Sequence, residues 1–274
     1  MSNGIRWCVV SVPTLAWAKK VFPNSPNPEQ SLSQQIENAM RLNTENPLNA
    51  WQQHIKVLEN RAKFLNEQRF SFIHLKNGKG TDLKVGLCDN HIWTSARELA
   101  KDGVPFMANM PTEEIFTAPH RLKVDGVLKS AMPLCVNGQI IDDFSITFKN
   151  GKIVDYCANL GHGALKGLIE TDKGTLRLGE IALIGKNSPI AKSNVLFYNT
   201  LFDENASCHL AIGKGYPTTV KDGDKLTKKE LLELGLNDST EHEDFMIGTP
   251  DLSVVGIKQN GKEVPLFIDG EWVI

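Results

Sequence analysis

Acid and histidine side chains collect at four places in this chain from about Pro105 onward, each time beside apolar residues. In the stretch 199–216, Leu201 and Phe202 are followed by Asp203, Glu204 and Asn205, then by His209, and the chain turns through Gly213 and Gly215 to Tyr216. The run from Ala206 to Ile212 has the composition of a buried strand, where a carboxylate and a histidine are costly unless paired or bound to a metal. Glu113 and Glu114 sit in a second segment, 110–117, where Thr112 offers the alternative of a capped helix start with acids in its first turn. Glu180 lies inside the apolar run from Leu176 to Ile184, which a solvated strand does not explain. The fourth segment, 240–248, holds His242 and Asp244 two residues apart. On a strand that spacing puts both on one face and Glu241 and Glu243 on the other. A polar edge strand with all four solvated is the alternative.

Glu114, Glu180, Glu204, His209, His242 and Asp244 together offer four carboxylates and two imidazoles. That is too many for one small divalent ion, and it suits two ions sharing a bridging carboxylate. With no cysteine in the set, zinc, cobalt or manganese in an oxygen-rich dinuclear site is expected. The expected chemistry is hydrolysis, one ion lowering the pKa of a water to about 7 and the other polarising the scissile carbonyl. A two-metal phosphoesterase fits the same ligands.

The elements that must hold these residues come from a chain of 274 residues, 41% hydrophobic and 23% charged. Its net charge of −2 gives no electrostatic footprint for nucleic acid or an anionic membrane. No apolar run reaches the length of a membrane span. Five cysteines without a CxxC pair point to reduced thiols and a cytoplasmic setting, with Cys157 and Cys208 as small core residues.

Ile5 to Val12 reads as a strand buried on both faces, and Pro13 to Phe22 as a helix after it. Leu32, Ile36 and Met40 form a helical stripe. Asn46-Pro47 starts a longer helix whose apolar set is Leu48, Trp51, Ile55, Leu58 and Phe64-Leu65, with His54 in a partly exposed structural role. Phe70 to Leu75 and Leu83 to Cys88 read as a hairpin over Gly78-Lys79-Gly80. From Pro105 short strands dominate, at 121–128, 131–136, 139–148 and 152–156, with Asn137-Gly138 and Asn150-Gly151 as hairpin turns. A helix over 160–170, strands at 176–184, 244–248 and 253–257, and a last hairpin over Asp269-Gly270 complete the chain. The expected class is α+β: a mainly antiparallel-sheet catalytic domain over 105–274, preceded by a helical, partial α/β region over 1–104.

Four segments carry a resemblance. They are 109–117, 178–183 with Ser188-Pro189, 199–209 and 242–248. In order and spacing they resemble the signature segments of the thermophilic metallo-aminopeptidases, the family of aminopeptidase T and aminopeptidase S, and the likeness extends from Pro13 to Ile257. The resemblance implies a two-metal exopeptidase, working as a homodimer, that removes N-terminal residues from peptides. No nucleic-acid or membrane partner is expected. Glu114, Glu180, Glu204, His209, His242 and Asp244 match the family's metal ligands, Glu180 being the bridging one. Tyr216 matches an active-site tyrosine whose phenol can hydrogen-bond the tetrahedral oxyanion; a turn tyrosine packed on the sheet is the alternative. Glu113 is the adjacent acid and a candidate general base. Two departures stand out. The family carries a further N-terminal α/β lobe that this chain mostly lacks, so a catalytically inactive remnant acting as a binding or assembly module is the competing expectation. Glu241 and Glu243 also flank His242 where the family tends to apolar residues.

Overall fold

The computed structural model describes residues 4–274. Its helices are α1 (Leu15–Val21), α2 (Pro28–Ala39), α3 (Pro47–Gln68), α4 (His162–Ile169), α5 (Pro189–Ser193), α6 (Thr200–Asp203) and α7 (Lys228–Glu233). Proline opens α2 and α3, where its missing N–H costs nothing, and the Asn46 side chain caps α3 by accepting from the Asn49 N–H at 3.0 Å. Of the expected stripes, Leu32 and Ile36 of α2 and Trp51, Leu58 and Leu65 of α3 are buried, Met40, Ile55 and Phe64 are half-buried, and Ala39 and Ala62 join the buried faces. Leu48, expected in the second stripe, is 79% exposed.

The strands are β1 (Phe72–Lys76), β2 (Asp82–Leu87), β3 (Glu98–Leu99), β4 (Pro105–Phe106), β5 (Ile115–Thr117), β6 (Pro119–Lys129), β7 (Leu134–Val136), β8 (Gln139–Lys149), β9 (Lys152–Leu160), β10 (Leu178–Leu183), β11 (His209–Gly213), β12 (His242–Met246), β13 (Ser253–Ile257), β14 (Glu263–Ile268) and β15 (Glu271–Trp272). They make a nine-stranded sheet in the order β15-β14-β13-β1-β2-β6-β8-β7, with β9 on β8, and a four-stranded sheet in the order β12-β11-β10-β5. Every strand pairing in both is antiparallel, so the class is α+β as expected. The large sheet crosses residue 105: β1 and β2 lie between β13 and β6.

Strand alternation then divides the small sheet into two faces. Ile181, Leu183, Leu210, Ile212 and Phe245 join one core with Ile73, Leu75, Val124, Leu128 and Phe144 of the large sheet. The Phe144 and Phe245 rings meet edge-on at 5.7 Å across that core. Glu180, His209, Ala211 and Asp244 fall on the alternate positions, so the small sheet offers them to its other side.

Two further expectations fail. Ile5 to Val12 is no doubly covered strand: Ile5 is 74% and Val12 73% exposed, and Val10 is exposed too. Only Val9 pairs, donating to the Ala108 carbonyl at 2.7 Å and accepting from the Met110 N–H at 3.0 Å, a single parallel bridge. A β-branched run cannot bury both faces with one neighbour at one residue. Cys157 is exposed rather than in the core, because β9 pairs only with β8 and its outward positions meet solvent; Cys208 is buried as expected. No helix among the described residues is long and apolar enough to cross a membrane.

Candidate metal centre

Three adjacent strands and two connecting segments bring the expected ligands together. In the β10–β11–β12 ladder Glu180 pairs with Ala211, and Ala211 with Asp244, while His209 pairs with Ala182 and Met246. Ala211, between the two acids, has too little side chain to separate them. Glu114 arrives from the segment before β5. No helix starts at Thr112; the chain bends and enters β5 directly, with Glu113 and Glu114 buried. Gly213, at φ 100°, ends β11 where a Cβ would meet the Glu241 carbonyl at 2.1 Å, and this close crossing lets β12 start at His242.

Glu180 faces two ways. Its Oε1 is 3.6 Å from His209 Nε2 and its Oε2 is 3.8 Å from His242 Nε2. Asp244 does the same, with Oδ1 3.9 Å from His209 Nε2 and Oδ2 3.4 Å from His242 Nε2. Glu114 Oε2 completes one side at 3.2 Å from His209 Nε2. Two ligand groups result, Glu114–Glu180–His209 and Glu180–His242–Asp244, each with its donor atoms within 4.8 Å of one another. Glu180 belongs to both. Glu204 lies outside both groups but close enough for its charge to couple to Asp244 and Glu114.

The far nitrogens of both imidazoles are anchored on the backbone. His242 Nδ1 donates to the Lys214 carbonyl at 2.7 Å and His209 Nδ1 to the Ser207 carbonyl at 3.3 Å. Each Nε2 is thereby aimed at the carboxylates, the orientation metal-ligating histidines take. Asp244 Oδ1 is buried without a hydrogen-bond partner. Most of the imidazole–carboxylate gaps exceed hydrogen-bond length. An oxygen-rich donor set with backbone-anchored imidazoles and an orphaned buried oxygen fits divalent cations.

The electrostatics agree. Burial, then the neighbouring Asp244 and Glu114 charges, push the Glu180 carboxyl up to about 7. Burial, Asp244 and Glu114 raise Glu204 well above the carboxylate range. Burial alone would lower His242, but Asp244 and Glu180 outweigh it and lift it to about 10; His209 is raised against burial by Glu114 and Glu180. Protons and imidazolium charge thus stand where cations would.

Tyr216 lies beside this cluster, its ring 4.7 Å from that of His242. Burial, then the Glu180 and Asp244 charges, raise its phenol well above the ordinary tyrosine value. Glu113 points elsewhere. Arg41 Nη1 lies 2.7 Å from its Oε1 and Arg41 Nη2 donates to its Oε2 at 3.0 Å. His54, which accepts from Arg41 Nη2 at 3.1 Å and donates to the Thr112 carbonyl at 2.8 Å, stands 3.6 Å from the same carboxylate. The Glu113 N–H donates to Asn205 Oδ1 at 2.7 Å, tying the turn that carries Glu204 to the segment that carries Glu114. Arg41 and Asn205 were not legible as site residues. Arg41 reads as a lone cation after α2, 72 residues from Glu113; for Asn205 the only signal was its place beside Glu204.

Comparison with known proteins gives a consistent family. A family model described as thermophilic metalloprotease (M29) matches residues 1–272. Aminopeptidase AmpS of Bacillus subtilis (strain 168) is 45% identical over 99% of this chain and 66% of its own length. Aminopeptidase T of Thermus aquaticus is 42% identical over 98% of this chain and 66% of its own. The chain thus spans about two thirds of the length of these relatives. Among solved structures, wild-type AmpT from Thermus thermophilus superposes with a TM-score of 0.91 at 37% identity, covering 98% of this chain and 65% of the other. A 2,5-dihydroxypyridine dioxygenase from Pseudomonas putida KT2440 matches with a TM-score of 0.54 at 11% identity, over 98% of this chain and 65% of that one, a likeness of fold alone.

Proposed function

This chain belongs to the thermophilic metalloprotease (M29) family, and on that premise we propose that it is a two-metal aminopeptidase hydrolysing N-terminal residues from peptides. The observation that carries the reading is Glu180, one carboxylate shared by two ligand groups, with an oxygen toward each imidazole. Glu114, Glu180 and His209 would hold one ion; Glu180, His242 and Asp244 the other. Glu204 would close the set from the edge. Zinc, cobalt or manganese suits these donors. Bound ions would supply Lewis acidity that activates water and polarises the scissile carbonyl.

The chain's own residues do the rest. Tyr216 keeps its phenolic proton at neutral pH and donates it as a hydrogen bond to the carbonyl oxygen as charge builds there. The backbone carbonyls of Lys214 and Ser207 fix the two imidazoles. Glu113, gripped by Arg41 and His54, orients its neighbour Glu114 in place of acting as a base. The same reading takes a homodimer as the assembly and the cytoplasm as its compartment.

The test is metal content beside turnover. The purified chain is dialysed against cobalt or zinc, its bound metal counted, and a leucine p-nitroanilide assayed with Glu180→Ala as control. About two ions per chain, with turnover lost in the variant, is the expected result. Metal bound without turnover would favour the competing reading of an inactive binding or assembly module. No metal at all would overturn the site.

A further inference from the structure

A cleft of about 570 Å³ is lined by four cations: Arg121 of β6, Lys152 of β9, and Lys173 and Arg177 of the loop between α4 and β10. That volume lies within the range of small-molecule sites, roughly 300–1,000 Å³. Asp238 is the one acid in the lining, and it is ion-paired with Lys228. Asp172, next to Lys173, lies outside the lining, its oxygens taken by the N–H groups of Gly174, Thr175 and Thr240. Among the described residues none of the four cations forms an ion pair with a carboxylate, and Arg121 Nε is buried without a hydrogen-bond partner.

Backbone contacts assemble these like charges. The Arg121 N–H donates to the Gly235 carbonyl at 2.8 Å and the Ile153 N–H to the Leu176 carbonyl at 2.9 Å. Gly151, at φ 74°, crosses so close to the Arg121 carbonyl that a Cβ would stand 2.1 Å from it, which sets Lys152 next to Arg121. Arg177 Nη1 donates to that same carbonyl. Asn237 Nδ2 donates to the Gly174 carbonyl at 2.9 Å and closes the far wall. Burial, then the charge of Arg121, lower the pKa of Arg177. Exposed lysines alone would be left to solvent. Two half-buried guanidiniums, one with an orphaned nitrogen, lack the counter-charge that would offset their repulsion.

We infer that this cleft is an anion site whose ligand is a phosphoryl group, free or carried by a small metabolite. A phosphoryl dianion brings about two negative charges and three acceptor oxygens, enough to meet both guanidinium forks at once. A carboxylate brings one charge and fits a single fork. No aromatic side chain among the described residues lines the cleft, so it has no stacking platform for nucleic-acid bases. Leu176 and Leu232 give an apolar wall for the carbon skeleton of a metabolite. The site goes beyond the aminopeptidase reading and does not depend on it.

The test is calorimetric titration of the metal-loaded chain, in chloride buffer, with inorganic phosphate, glycerol phosphate and acetate. Saturable phosphate binding is expected, with acetate weaker by about tenfold or more. Arg121→Gln and Arg177→Gln should each weaken phosphate by about tenfold or more, the scale of one charge-assisted hydrogen bond. Because Arg177 also braces the Arg121 carbonyl, the double variant Lys152→Gln/Lys173→Gln, at two exposed positions, repeats the measurement without touching a backbone contact; weaker binding with a shallower salt dependence is expected. Glu180→Ala separates the cleft from the metal centre. Phosphate binding kept in Glu180→Ala and lost in the cation variants sustains the inference. Binding lost in Glu180→Ala and kept in the cation variants puts the anion on the metals and overturns it. Absence of binding, or acetate bound as tightly as phosphate, overturns it too. Tighter binding of glycerol phosphate than of phosphate identifies a phosphorylated metabolite as the ligand, and the reverse identifies the free ion; either sustains the site. None of these readouts uses turnover, so failure of the aminopeptidase reading leaves them intact.

Discussion

Two acidic clusters of this protein treat their carboxylates in opposite ways. Asp172, in the loop between α4 and β10, accepts from the N–H groups of Gly174 at 2.6 Å, Thr175 at 2.9 Å and Thr240 at 2.8 Å, and from Ser239 Oγ at 2.9 Å. Partial burial works to raise it, but the Thr240 and Thr175 donors outweigh burial and hold it down at about 2. Glu180 and Asp244 face other acids and imidazoles instead; Glu180 rises to about 7 and Asp244 Oδ1 has no partner. A carboxylate supplied with its donors by the chain serves the fold. Carboxylates that supply one another with more negative charge need a cation from outside. Asp172 still serves the centre at one remove, since it fastens the segment that leads into His242.

The sharpest way to separate the two clusters is to remove one acid from each. Glu180→Ala is expected to lower leucine p-nitroanilide turnover by about a thousandfold or more, the scale of losing a group the transition state depends on, and to cut bound metal as counted by elemental analysis. Asp172→Asn keeps the metal count. Next in size is ligand linkage. At 100 times its Kd the metal adds about 2.7 kcal/mol to stability. Thermal melts with and without chelator should show that increment in the native chain and in Asp172→Asn, and lose it in Glu180→Ala.

The pH dependence differs in sign between the clusters. In the metal-free chain Glu180 holds its proton to about 7, whereas an unfolded glutamate releases it near 4.3. Its stabilising contribution is therefore present below that unfolded value and lost as pH rises through 7. His242, at about 10 folded against about 6.5 unfolded, contributes fully below 6.5 and loses its contribution as pH rises toward 10. Urea midpoints of metal-free protein should fall from pH 5 to pH 9, and bound metal should flatten the trend. A flat metal-free profile would contradict the described geometry. For Asp172 the sign reverses: its contribution is present above about 3.9 and lost as pH falls toward about 2. The smallest effect is Asp172→Asn at neutral pH, a loss of about 2 kcal/mol in unfolding free energy, with metal affinity little changed. If that substitution instead abolished metal binding, the division between fold-serving and cation-seeking acids would fail.

Much of the centre was legible before the fold. Glu180 in a mostly apolar run stood out because its neighbours are buried types, and His242-x-Asp244 because alternation fixes which residues share a face. The hairpin over Gly78–Gly80, the long helix after Pro47 and the closing hairpin over Asp269-Gly270 followed from turn residues and periodicity, which act over a few positions. The failures involved distance in the chain. Thr112 carried the local signs of a helix cap, yet the Arg41 and Asn205 contacts to Glu113 accompany a turn into β5. Ile5 to Val12 had a strand's composition and one bridging residue. Cys157 looked like core until β9 proved to have one neighbour.

The sequence by itself determined the chemistry of the candidate donors, oxygen-rich and cysteine-free, and the strand faces that carry Glu180, His209 and Asp244. It did so because residue type and two-residue alternation are local properties of the chain. Only the tertiary structure decided that Glu180 turns one oxygen to each imidazole, that Glu113 is held by Arg41 apart from the other acids, and that four cations line one cleft. Those arrangements depend on antiparallel register and on contacts between residues far apart in the chain, and no short-range pattern encodes which distant partner will close them.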